Sequence, residues 1–228
     1  MVPAKQFEVS DEWKRIGYTK LVLDHFRNPR NVGVIENPTV SVRVGSVACG
    51  DMIKMYMTIE DDIIKDVKYQ SYGCAANIAT ASITSEIIKG KHVDEVKNFK
   101  FEDIVRALGG LPRTKYHCAV LTDQAVKACI AKYEVIKGRR KLTEGLIRIL
   151  LSGVIDPMTG DGAMNENVLR IVKFDEKRRE LILEIDGSPD EDADRDIEEQ
   201  AREALNGLDL SIRFKYTGRK RRGEFKIE

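Results

Sequence analysis

"CGDMIKMYMTIEDDIIKDVKYQSYGCAANIATAS", residues 49–82, changes its hydrophobic period partway along and so decides the fold. Apolar side chains fall on every second residue through Ile53, Met55, Met57 and Ile59, the pattern of a half-buried strand. Asp61-Asp62 turns the chain, and "IIKDVKYQ" reads as a further strand. From "GCAANIATASITSEIIKG" onward the pattern is helical. Upstream, "TVSVRVG" alternates Val40, Val42 and Val44 with polar residues and supplies a strand before Cys49. Three consecutive strands with short turns predict an antiparallel meander. Strands followed by helices place this half in the α+β class.

Toward the N-terminus, Ser10 is positioned to cap a single helix that runs through "YTKLVLDHF" until "RNPRNVG" breaks it. Beyond the central stretch, "GKHVDE" reads as a polar turn. "FEDIVRAL" sets Phe101, Ile104, Val105 and Leu108 at helical spacing. A longer helix follows the Leu111-Pro112 break. "KGRRK" reads as a linker, after which helix, two strands, helix and strand give a small αββαβ unit. Ser188 with Glu191 forms a capping box there, with Pro189 at the first helical position. The organisation expected is a first domain over 1–137, a linker over 138–141, a second domain over 142–218 and a basic tail over 219–228.

Composition narrows the function. A net charge of +1 over 228 residues argues against a general nucleic-acid binder. The acidic "PDEDADRDIEEQARE" and the basic "GRKRRGEFK" read as a solvated helix face and a chain end. No apolar run approaches the roughly 20 residues that span a bilayer. "MVPAKQFEVSDEW" lacks the features of a signal peptide, so a cytoplasmic protein is expected. In a reducing compartment four widely spaced cysteines point to metal binding, reactivity or burial rather than disulfides.

Cys49 and Asp51 lie at the start of a strand, on one face by alternation, with Gly50 allowing close approach. Cys74 and Cys118 each fall at a helix start, where backbone N–H groups draw a thiol toward thiolate. With His117 these residues form a set of three sulfurs, one carboxylate and one imidazole, drawn from different element ends. The set differs from the closed C-x-x-C pairs of a zinc ribbon. Thiolates suit zinc, Fe(II) and iron–sulfur clusters, whereas a carboxylate matches soft metals poorly and favours release. A Cys–His nucleophilic site and plain buried thiols are the alternatives on spacing alone. Cys129 lies about three turns past Cys118, roughly 16 Å along the helix, and reads as core. His25 reads as structural and His92 as solvated.

"HFRNPRNVG", "ACGD", "YGCAANIATAS" and "LPRTKYHCAVL", in this order, resemble the IscU/NifU-N family of iron–sulfur cluster assembly scaffolds over about residues 18–136. The resemblance implies that Cys49, Cys74 and Cys118 are cluster cysteines and that Asp51 keeps the cluster labile. It makes His117 an alternative or neighbouring ligand and Cys118 the persulfide acceptor. It implies a cargo of Fe2+ and sulfide assembled as a 2Fe-2S cluster. The implied partners are a cysteine desulfurase, apo acceptor proteins and, through Lys115, an Hsp70-type chaperone, although "LPRTK" departs from the family's Leu-Pro-Pro-Val-Lys. A cluster bridging protomers, and so a homo-oligomer, is compatible with an open site. The alternative is a Zn2+-bound sulfur-transfer partner of the desulfurase, using the same residues. Residues 142–218 more weakly resemble the small domain found before Mrp/ApbC-type cluster carriers, which implies a docking or dimerising module.

Overall fold

In the computed structural model, which describes residues 11–45, 50–187 and 190–218, the alternating stretch folds as the meander its pattern predicts. Strands β1 (Val40–Gly45), β2 (Met52–Glu60) and β3 (Ile63–Tyr72) pair antiparallel in that spatial order. Asp61 and Asp62 take φ of 49° and 61°, the left-handed pair that a two-residue hairpin turn demands. Ser10, Cys49, Ser188, Pro189 and the tail beyond 218 lie outside the described residues.

The N-terminal helix differs from expectation, forming α1 (Asp11–Ile16) and α2 (Lys20–Arg27). Gly17 at φ +81° ends the first, and the Thr19 hydroxyl caps the second by accepting from the Val22 N–H at 3.1 Å. The "HFRNPRNVG" run then ties down onto α3 (Ala75–Ile88). Ser82 Oγ pairs with His25 Nδ1 at 2.8 Å and accepts from the Arg30 N–H at 2.9 Å, while Asn31 donates to Ser85 Oγ at 3.0 Å. Val32 bridges Tyr69, so this loop covers the outer edge of β3. Small residues let α3 lie deep: Ala76, Ala79, Thr80, Ala81, Ser82 and Ser85 are all fully buried.

"GKHVDE" is partly helical: α4 (Val93–Lys97) starts at His92, whose ring accepts from the Asp94 N–H at 3.2 Å. After α5 (Phe101–Ala107), a 3-10 turn over Arg113–Lys115 leads into α6 (Tyr116–Ile136). This helix lays Leu121, Ala125, Ala128 and Cys129 into the core. Cys129 is a core thiol, fully buried, its pKa pushed up to about 12 by that burial.

The C-terminal half runs α7 (Glu144–Leu151), β4 (Leu169–Asp175), β5 (Glu180–Asp186), α8 (Glu191–Leu205) and β6 (Ser211–Thr217). β4 and β5 are antiparallel, and β5 and β6 are parallel, with α8 as the crossover. Asp190 caps α8 in place of Ser188, accepting from the Asp192 and Ala193 N–H groups at 3.0 and 3.4 Å. The helix therefore begins after Pro189, past the expected first position. One apolar cluster runs from Val42 and Met55 through α6 to Ile147 and Leu151, and on to Leu183 and Ile197. A second cluster, including Tyr18, Leu23, Ala76, Ile104 and Cys118, forms a separate core. No helix among the described residues is long and apolar enough to cross a membrane.

Candidate metal centre

Strand register builds the site. Met52 pairs with Tyr72, so Asp51, just before β2, must lie beside Gly73 and Cys74, just after β3. Gly73 adopts φ +146°, and a Cβ there would overlap the Asp51 carboxylate, so this close approach requires glycine. Cys74 is the N-cap of α3, and its N–H donates to Asp51 Oδ1 at 3.2 Å. The Asn77 amide, one turn further, is shared among Ser71 Oγ at 3.0 Å, Tyr72 O at 3.2 Å and Met52 O at 3.3 Å. It fixes the first turn of α3 to both strand ends. α6 joins through Thr122, which donates to Thr80 Oγ1 at 2.9 Å. That contact of small side chains brings Cys118 against Cys74.

The sulfurs of Cys74 and Cys118 lie 3.6 Å apart. Asp51 Oδ2 is 3.4 Å from Cys118 Sγ, 3.9 Å from Cys74 Sγ and 3.8 Å from His117 Nε2. A tetrahedral ion with metal–sulfur bonds of about 2.3 Å spaces its ligands about 3.7 Å apart. Asp51, His117 and Cys118 each offer an atom within 4.8 Å of the others. The donor set therefore fits a thiophilic metal. Asp51 is 4% exposed and Cys118 fully buried, whereas the His117 side chain is 42% exposed and Cys74 is half-buried. The centre thus opens on the His117 and Cys74 side. Lys115 ends the 3-10 turn, two residues ahead of His117. His25 and His92 belong to the structural contacts above.

The two thiols are not equivalent, contrary to the expectation of a thiolate at each helix start. The pKa of Cys74 is lowered to about 5, first by the hydrogen bond from Cys118 and then by N–H groups of the first turn of α3. Burial and the Asp51 charge oppose this. The pKa of Cys118 is raised, because it donates to Cys74, is buried and faces two negative groups. It lies inside α6, past the 3-10 turn, rather than at a cap. In metal-free protein, iodoacetamide should therefore label Cys74 well ahead of Cys118 and Cys129 at pH 7. Peptide mapping after timed quenching checks this. The Cys74 rate should fall only as the pH drops through about 5. Equal labelling of Cys74 and Cys118 would contradict the assignment.

Tyr18 escaped the sequence reading. Its hydroxyl pairs with the Ala76 backbone, and burial pushes its pKa up to about 12, helped by the negative charges of Cys74 and Asp51. Its ring stacks on Trp13 at 5.8 Å. It is a neutral phenol roofing the first turn of α3. No local pattern flags it, since it meets the site only through the fold.

A three-stranded meander whose end brings together two thiols, a carboxylate and an imidazole offers the donor set of a metal-handling class of protein, and comparison with known families supplies the group to which the chain belongs. Residues 17–140 match the NifU-like N-terminal domain, more than half of the chain, and the chain belongs to that family. It is 43% identical over 116 residues to the iron-sulfur cluster assembly scaffold protein IscU 1 of Archaeoglobus fulgidus, covering 51% of this chain and 76% of that one. It is 42% identical over 123 residues to the iron-sulfur cluster assembly scaffold protein IscU of Escherichia coli (strain K12), covering 52% and 95%. A crystal structure of an N-terminal NifU-like protein from Brucella abortus aligns over 51% of this chain and 93% of that one, with a TM-score of 0.43 and 21% identity.

Proposed function

We propose that this chain is a scaffold that builds a labile 2Fe-2S cluster from iron and desulfurase-derived persulfide sulfur and passes it to apo acceptor proteins. The observation that carries this reading is the convergence of Asp51, Cys74 and Cys118 within 3.9 Å. The cluster is cargo, held by Cys74 and Cys118, by Cys49 from the adjoining segment, and by Asp51 or His117. The protein is not itself an enzyme. Sulfur arrives when the Cys118 thiolate attacks the outer sulfur of a desulfurase persulfide. The new S–S bond forms at Cys118, the old one breaks, and the desulfurase thiolate leaves. The proton that Cys118 gives up ends on the departing desulfurase thiolate, because Cys74, 3.6 Å away, is the stronger acid of the two site thiols. The hard Asp51 carboxylate, set among sulfurs, keeps the product transferable. Lys115, at the entry to α6, is the proposed chaperone contact.

Anaerobic reconstitution with Fe2+, cysteine and a cysteine desulfurase tests the reading. Two irons and two sulfides per cluster should appear with a visible charge-transfer spectrum. Asp51→Ala should hold that cluster longer against a chelator, because a mismatched ligand has been removed. The same donors suit Zn2+ tetrahedrally. One tightly held zinc with no acid-labile sulfide would therefore make the chain a sulfur-transfer protein instead.

A further inference from the structure

The C-terminal half grips β1 where it leads toward the centre. Gly153 lies so close beneath β1 that a Cβ there would meet the Arg43 carbonyl oxygen at 2.5 Å. Two residues further, Gly45 faces both Ser152 and the Asp51 backbone, its Cβ position 3.7 and 3.9 Å from their carbonyl oxygens. Gly45 is also the register partner of Met52, which follows Asp51. Asp51, Gly45 and the loop Ser152–Glu166 line one cavity of about 270 Å³.

Gln200 of α8 locks this contact. Its Oε1 accepts from Arg43 Nη1 at 2.9 Å and from the Ile155 N–H at 3.0 Å. Its Nε2 donates to Ile155 O at 3.0 Å and to Asp196 Oδ2 at 2.8 Å. Every hydrogen-bonding position of that amide is used, and the bonds join α8, β1 and the 152–166 loop. Apolar packing between the halves supplies adhesion without direction. The amide supplies direction, because its bonds form at one relative placement. Asp51 thus has two mounts: Cys74 and Gly73 on the β3 side, and β1 with the C-terminal half on the other.

We propose that the C-terminal half sets the position of Asp51, with Gln200 as the positioning residue, and thereby sets how readily the cluster is released. The inference rests on the assembly reading above. Loosening this mount lets the carboxylate drift from its place beside Cys118, and its labilising effect weakens.

Two full-length variants test this, Gln200→Ala and Gly153→Ala, the second prising the same contact apart by bulk. In metal-free protein, amide exchange at Val44, Gly45 and Met52 should speed up by about tenfold, the scale of one or two lost hydrogen bonds. Amides within α7 and α8 should hold their protection. In reconstituted protein, iron loss to excess EDTA should slow several-fold, in the direction of Asp51→Ala. Adding Gln200→Ala to Asp51→Ala should change nothing further. A merely structural contact would give faster iron loss, and would do so in the Asp51→Ala background as well. Faster loss, additivity or unchanged exchange near Asp51 would each overturn the proposal. If the unmodified chain takes up no iron and sulfide, the assembly reading fails, while the exchange arm still decides whether Gln200 holds this segment.

Discussion

Cys118→Ser should cut cluster yield in reconstitution by more than about tenfold, since losing a mere outer-shell partner of a metal ligand commonly costs 10–100-fold. The argument is geometric. Cys118 Sγ forms a nearly equilateral triangle with Cys74 Sγ at 3.6 Å and Asp51 Oδ2 at 3.4 Å, so its loss removes one corner of the donor set. A serine hydroxyl stays protonated near neutral pH and offers no soft donor. Cys129→Ser is the control, because that thiol is buried elsewhere, in the sheet core. It should leave the cluster yield near normal. Cys118→Ala adds a readout that needs no cluster. Without the Cys118 donor the Cys74 thiolate loses its largest support, so its pKa should climb from about 5 toward the ordinary thiol range. The iodoacetamide profile of Cys74 would move to higher pH. Cys118→Ser keeps a donor and should move it less. A Cys118→Ser protein that assembled normal cluster would require ligation by groups other than these.

Much of this was legible in the sequence where local pattern governs structure. Period-two alternation from Val40 to Ile59 defined the meander, because a half-buried sheet admits no other register for those side chains. The motif residues Asp51, Cys74 and Cys118 could be placed at element ends, which is why they meet. Legibility failed where distant contacts decide. Both thiols look alike as helix-start cysteines, and only their mutual contact and burial move their pKa values apart, Cys74 downward and Cys118 upward. Thr19 capped a helix that the apolar stripe seemed to continue, because Gly17 takes a positive φ that a stripe does not reveal. Gln200 reads as an ordinary polar residue on an acidic helix. Its partner Arg43 is 157 residues away, and nothing local links them.

Ile147→Ala is expected to cost about 2–5 kcal/mol, the range for truncating a buried branched side chain where neighbours close the cavity only partly. Ile147 is fully buried on α7, within the cluster that joins Val42 and Met55 to Leu183 and Ile197. For a chain of this size Tm should fall by about 2–4 °C per kcal/mol. The informative comparison is between probes. Trp13 is the sole tryptophan and packs on the second cluster, beside Tyr18 and away from α7. If the shared core couples the halves, Trp13 fluorescence should shift in step with far-UV circular dichroism, although the lesion lies in the C-terminal half. Val172→Ala, at an exposed position on β4, should change stability by no more than about 0.5 kcal/mol. A Trp13 transition left in place while part of the far-UV signal melts early would mean that β1 and α7 hold each other too weakly to unfold together. It would also remove the rigid footing from which Gln200 holds Asp51.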